Sequence, residues 1–138
     1  MGRWLSIDYG RKRTGIAVTD PLRIVASGLT TVPSHTLPTF LKDYMSRETV
    51  DRIIVGLPTD MRGNESESMR YIRPAVDKLR RELRGVEIVF YDERFTSVLA
   101  HKAMIDGGMK KSDRRDKAIV DEISATILLN DYLQSTHI

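Results

Sequence analysis

The chain has 138 residues, 41% hydrophobic and 30% charged, with a formal net charge of +3. That length suits one domain over residues 1–138 and is too short for two nucleotide-binding lobes. No apolar run approaches the roughly 20 residues of a membrane span, and no secretory leader separates Met1 from the first strand, so the expectation is a cytoplasmic protein without membrane contact.

Arg3-Trp4-Leu5-Ser6-Ile7-Asp8 predicts a buried strand that ends in an acid, followed by the turn Tyr9-Gly10-Arg11-Lys12-Arg13. A carboxylate withdrawn from water costs several kcal/mol, on the order of the effective penalty for a buried ion, unless something compensates it. Asp8 therefore stands out, either as a turn cap or as a metal ligand. Thr14 to Thr19 and Gly28 to Val32 predict two further strands, and three strands with short links predict an antiparallel meander. Trp4 is assigned to the sheet interior.

After Pro33, Leu37, Phe40, Leu41, Tyr44 and Met45 recur at helical spacing, predicting a helix over 36–47. Arg52 to Leu57 is a continuous apolar run ended by Pro58, the pattern of a strand covered on both faces. A polar loop over 59–68 precedes a helix over 66–84 that contains Pro74, which either costs a hydrogen bond or marks where the regular helix begins. Gly85 stops it. Val86 to Tyr91 predicts a fifth strand ending in Asp92-Glu93-Arg94, then a short helix to Asp106, a basic loop, and a last helix over 116–133.

This order predicts an α/β fold: a mixed five-stranded sheet with helices on both faces, strands 1–3 as the meander and strands 1, 4 and 5 parallel and central. Ligands in such sheets bind beyond the carboxyl ends of the strands. Asp8 and Asp92-Glu93 lie at those ends. Alternation allows only one of Asp92 and Glu93 to face the site; the longer Glu93 is taken as the ligand and Asp92 as its support. In the last helix Asp121 interrupts an apolar stripe of Ala118, Ala125, Leu128 and Tyr132, while the flank of Ile119, Ile123 and Ile127 is read as internal packing.

The absence of cysteine and the scattered positions of His35, His101 and His137 leave oxygen as the donor for any metal. Asp8, Glu93 and Asp121 thus predict a catalytic carboxylate set for Mg²⁺ or Mn²⁺, ions that favour oxygen ligands. Arg11, Lys12, Arg13, Arg94, Lys110, Lys111, Arg114 and Arg115 predict phosphate contacts to nucleic acid. Tyr9 and Tyr91, beside proposed ligands, are read as core packing before base stacking.

Ser6-Ile7-Asp8-Tyr9-Gly10 with Gly15-Ile16-Ala17-Val18, Ile54-Val55-Gly56-Leu57-Pro58 followed by Gly63, Asp92-Glu93-Arg94-Phe95-Thr96-Ser97, and Val120-Asp121 resemble the YqgF family across nearly the whole chain. That family comprises bacterial ribonuclease-H-like proteins described as pre-16S rRNA nucleases and as Holliday junction resolvases. The resemblance implies a ribonuclease-H-like fold, trimming of the 5′ end of precursor rRNA, and acids at Asp8, Glu93 and Asp121. Phe95 stands where leucine is common, and Ser124 where a small apolar residue is frequent.

Three other readings compete. One is a Holliday junction resolvase, which works as a dimer; the chain shows no clear dimer stripe and reads as a monomer or weak homodimer. Another is an ATP-binding module, because an Asp-x-Gly turn after a first strand also opens phosphate sites in kinases. The third is a non-catalytic RNA-binding assembly factor.

Overall fold

The computed structural model of the chain describes residues 2–58, 67–92 and 117–136. Five strands form one sheet: β1 (Arg3–Tyr9), β2 (Arg13–Thr19), β3 (Ala26–Pro33), β4 (Val50–Leu57) and β5 (Glu87–Asp92). Their order is β3-β2-β1-β4-β5, with β1–β2 and β2–β3 antiparallel and β1–β4 and β4–β5 parallel. The meander and the parallel set match the sequence reading, but β5 is an edge strand rather than central. The β2 hairpin occupies one side of β1, so β4 takes the other and leaves β5 only the far edge of β4.

Alternation along the strands sorts the core into two layers. Leu5 and Ile7 of β1 and Ile53 and Val55 of β4 face one side, where α1 (Leu37–Arg47) and α2 (Met69–Glu82) cover them with Leu37, Leu41, Ile72, Val76 and Leu79. Ile54 faces the other side, where α3 (Lys117–Thr136) supplies Ala125, Leu128, Leu129 and Leu133. Ile53, Ile54 and Val55 are all fully buried, as a strand covered on both faces requires. No described helix is long and apolar enough to cross a membrane.

Small residues let α3 approach the sheet closely. Gly15 and Ala17 of β2 and Ala26 and Gly28 of β3 lie along its path, and a β-carbon on Gly15 would overlap the backbone carbonyl of Asp121. One on Gly28 would collide with the Glu122 side chain.

Local differences from the sequence reading have identifiable causes. A 3₁₀ turn, Ser34–Thr36, precedes α1. Pro74 sits inside regular α2, which begins at Met69, so the proline removes the amide that would have bonded the Arg70 carbonyl. The helix ends at Glu82 with Leu83 already extended, and Gly85, at φ +81°, shapes the turn into β5 instead of capping α2. Trp4 is only partly buried. It lies edge-on to Tyr132, with the guanidiniums of Arg23 and Arg52 at 5.0 and 4.8 Å from its ring centre. Ile119 is exposed, and Ile123 and Ile127 are half-buried, so that flank of α3 is not the internal packing surface expected. The short helix after Glu93 and the basic loop lie outside the described residues.

Candidate active site

Ser6 and Asp8 share the α3 side of β1, and the fully buried Ser6 donates through Oγ to the Ala125 carbonyl at 2.6 Å. Two residues further along the strand is a step of about 6.8 Å, and four residues back along the helix is about 6 Å. The matched steps bring Asp121 of α3 to the level of Asp8. Register agrees: Asp8 pairs with Gly15, the residue on which the Asp121 backbone rests.

Burial, reinforced by the charge of Asp121, pushes the Asp8 carboxyl up to about 6 from an ordinary value of 3.8. Asp121 is compensated differently. Its Oδ2 accepts from Arg13 Nε at 2.9 Å, with about a quarter of the Asp121 side chain exposed. The site therefore holds one desolvated acid, one paired acid and one guanidinium. Two adjacent carboxylates, one of them half-buried, are a donor set suited to a hard divalent cation.

The turn that carries Arg11 and Lys12 is internally braced. Gly10 N–H donates to the Arg13 carbonyl at 2.9 Å, and Ser34 N–H donates to the Lys12 carbonyl at 2.9 Å. Ser34 Oγ donates to the Gly10 carbonyl and accepts from Thr14 Oγ1. Arg11 and Lys12 project outward, with the Arg11 guanidinium 5.2 Å from the Tyr71 ring centre.

Of the acids named from sequence, the structure brings together Asp8 and Asp121. Among the described residues no third carboxylate or histidine completes a cluster with them. Asp92, the last residue of β5, pairs with Leu57, and alternation places it on the side of Phe90 and Ile88, away from α3. Glu93, Arg94, Lys110, Lys111, Arg114 and Arg115 lie outside the described residues. Tyr91 is engaged in packing: its hydroxyl donates to Asp131 at 2.6 Å and its ring meets Tyr132. Tyr9 packs beside Tyr71 on the opposite side of the sheet from Asp8.

Sequence reasoning missed three contributors: Ser6, Gly15 and the pairing role of Arg13. The signal for Gly15 was present, as small residues at positions 15, 17, 26 and 28 of two neighbouring strands mark a line of close helix approach.

A family model described as RuvX, Holliday junction resolvase, matches residues 2–135. A protein of Phocaeicola vulgatus named "Putative pre-16S rRNA nuclease" is 60% identical over 135 residues, covering 98% of this chain and 97% of its own. One of the same name from Porphyromonas gingivalis is 57% identical, covering 98% of each. Among solved structures, Thermus thermophilus RuvC in complex with a Holliday junction substrate superposes with a TM-score of 0.62 at 15% identity, over 99% of this chain and 98% of that one. A second T. thermophilus RuvC structure gives 0.58 at 17% identity, covering 96% of each. Those likenesses establish the ribonuclease-H-like architecture.

Proposed function

The chain belongs to the RuvX (YqgF) family and is a nuclease of that family, and we propose that it cleaves phosphodiester bonds with Asp8, Asp121 and Glu93 holding Mg²⁺ or Mn²⁺. The observation that carries this reading is the half-buried Asp8 carboxyl, on the α3 side of β1 at the level of a second acid, Asp121. Among the described residues Asp8 forms no ion pair, whereas Asp121 has Arg13. Alternation turns Asp92 to the other side of the sheet, and Glu93 is kept as the third ligand on the sequence reading alone.

A divalent cation supplies Lewis-acid activation of water and neutralises charge on the phosphate. The residues of the chain prepare for it. Asp8 is half-buried and its charged form is disfavoured by that burial, so a cation would offset the cost. Arg13 fixes the Asp121 carboxylate from the side of β2, leaving its second oxygen uncommitted to that bond. Arg11 and Lys12, on a braced turn at the same end of the sheet, hold the flanking phosphates.

The relatives' name favours precursor 16S rRNA as substrate; the resemblance read from sequence adds trimming at its 5′ end, by a monomer or weak homodimer acting in the cytoplasm. The family description favours a second reading, resolution of four-way DNA junctions by a dimer. Family membership displaces the ATP-binding alternative.

Asp8→Asn decides whether the acids are catalytic. The expected result is retained nucleic-acid binding with cleavage lost, in Mg²⁺ and Mn²⁺ alike; cleavage at the wild-type rate would overturn the assignment and favour an assembly factor. Precursor rRNA and junction DNA assayed side by side separate the two substrates.

A further inference from the structure

We propose that the outward surface of α2 and the turn after it, formed by Arg70, Lys78, Arg81 and Arg84, is a second phosphate-binding surface that holds nucleic acid flanking the bond at Asp8 and Asp121. The proposal rests on the nuclease reading and adds a surface on the other side of the sheet from the acids.

Residues 69–84 contain six bases, Arg70, Arg73, Lys78, Arg80, Arg81 and Arg84, against two acids, Asp77 and Glu82. Their local balance of +4 exceeds the +3 of the entire chain, so the rest of the protein is close to neutral. Met69, Ile72, Val76, Leu79 and Leu83 are buried towards the core, which turns the bases to solvent.

Both acids are already engaged: Glu82 faces Lys42 of α1 at 3.7 Å, and Asp77 faces Arg80 at 3.8 Å. Among the described residues, no carboxylate lies within ion-pair distance of Arg70, Lys78, Arg81 or Arg84. A helix face kept only for solubility would intersperse acids with these bases. Here the like-charged Lys78 and Arg81, three residues apart within α2, lie side by side and work against the helix. Arg70 and Arg73 near its N-terminus oppose the helix dipole as well. The bases are five arginines to one lysine, and the guanidinium fork matches phosphate geometry.

The surface is continuous with the candidate site. Tyr71, in the first turn of α2, lies 6.2 Å from Tyr9, the residue after Asp8, and Arg11 stacks over Tyr71. From that rim the fourteen residues of α2 extend about 21 Å, so a strand leaving Asp8 over Arg11 and Lys12 meets Arg70 first and Arg84 last. Lys78 also borders a recess of about 140 Å³ shared with Tyr9, His35 and Pro38.

The test is a salt titration of binding, with single-stranded RNA and a four-way DNA junction as probes. Replacing Arg70, Lys78, Arg81 and Arg84 together by Ala is expected to weaken binding at least tenfold at low salt. On single strands it should flatten the slope of log affinity against log salt by about 3, at about 0.7 for each phosphate no longer neutralised. Arg47→Ala, which removes a cation from α1, should leave the slope unchanged. If the fourfold variant melts below the wild type, the milder pair Arg70→Gln and Arg81→Gln should still flatten the slope by about half as much.

Wild-type affinity and slope in the variants would overturn the proposal while leaving the nuclease reading intact. Loss of binding to anionic lipid vesicles with nucleic-acid binding unchanged would overturn it in favour of a membrane surface. Asp8→Asn carried through the same titration keeps the two claims apart: unchanged cleavage by that variant defeats the catalytic assignment, whereas the difference in slope between the wild type and the α2 variants reports on α2. Failure of the wild type to bind either probe defeats both.

Discussion

The backbone carbonyl of Asp121 rests on the α-carbon of Gly15, and Gly15 is the residue paired with Asp8 across the β1–β2 ladder. The absence of one side chain therefore sets the distance between two acids that are 113 positions apart in the chain.

Gly15→Ala should be costly in both stability and activity. The obstacle is backbone, which cannot rotate aside, so α3 must lift away from the sheet. A loss of about 1–3 kcal/mol is expected, typical of overpacking, with a fall in Tm of about 4 °C per kcal/mol. Metal-dependent cleavage should fall further than stability does, because Asp121 moves with its helix. Thermal melting and a cleavage assay on the same preparation check this; a variant with wild-type Tm would show that α3 packs otherwise.

Asp8 should titrate near 6 in the metal-free protein. An acid whose folded pKa is raised binds more protons folded than unfolded, so its contribution to stability falls as pH rises from about 4 through about 6. Asp8→Asn removes that slope and should make the metal-free protein more stable at pH 7, by up to about 3 kcal/mol at 1.36 kcal/mol per pKa unit. Carboxyl NMR titration and urea unfolding at pH 4.5 and 7 measure the two quantities. A normal Asp8 titration would mean that the carboxyl is hydrated.

Arg13→Ala should raise the Asp8 pKa further. Without the guanidinium at 2.9 Å, the charge of Asp121 acts on Asp8 uncompensated. The stability cost itself should stay below about 1 kcal/mol, as for other ion pairs with solvent access. The same NMR titration reads the shift, and an unmoved Asp8 would show that the two acids are not coupled through this pair.

Asp20 organises the β2–β3 loop. Its carboxylate accepts from the backbone N–H groups of Leu22, Ile24 and Val25, which holds its pKa below the usual carboxylate range. A depressed acid stabilises the fold above its unfolded pKa and loses that effect as pH falls through the folded value. Protection of the Ile24 and Val25 amides relative to their intrinsic exchange rates should therefore fall as Asp20 is protonated in acid, and Asp20→Ala should show the low protection already at pH 7. Equal exchange in both proteins would remove the loop-organising role.

Much of this molecule was legible in one dimension. The strands, their order along the chain and most helix limits follow from alternation, helical spacing and breaker residues, all local properties. Asp8 and Asp121 could be singled out for the same reason, since an acid at the end of an apolar strand and an acid on an apolar stripe are anomalies visible within a few residues. Pro74 shows the limit of such signals. A proline reads locally as a helix break, yet packing of Ile72, Val76 and Leu79 keeps the helix regular through it.

Spatial order was decided elsewhere. Which edge β5 occupies depends on β4 taking the open side of β1, and that competition between ladders leaves no trace in the residues of β5. Likewise, the partner of Arg13 is 108 positions away, and the close passage of α3 depends on two neighbouring strands presenting small residues together in register. The composition of the chain and its short-range patterns determined what each segment would become and which acids had to be explained. Only the folded sheet determined which charges meet, because desolvation and Coulomb energy depend on distances through space that sequence separation does not specify.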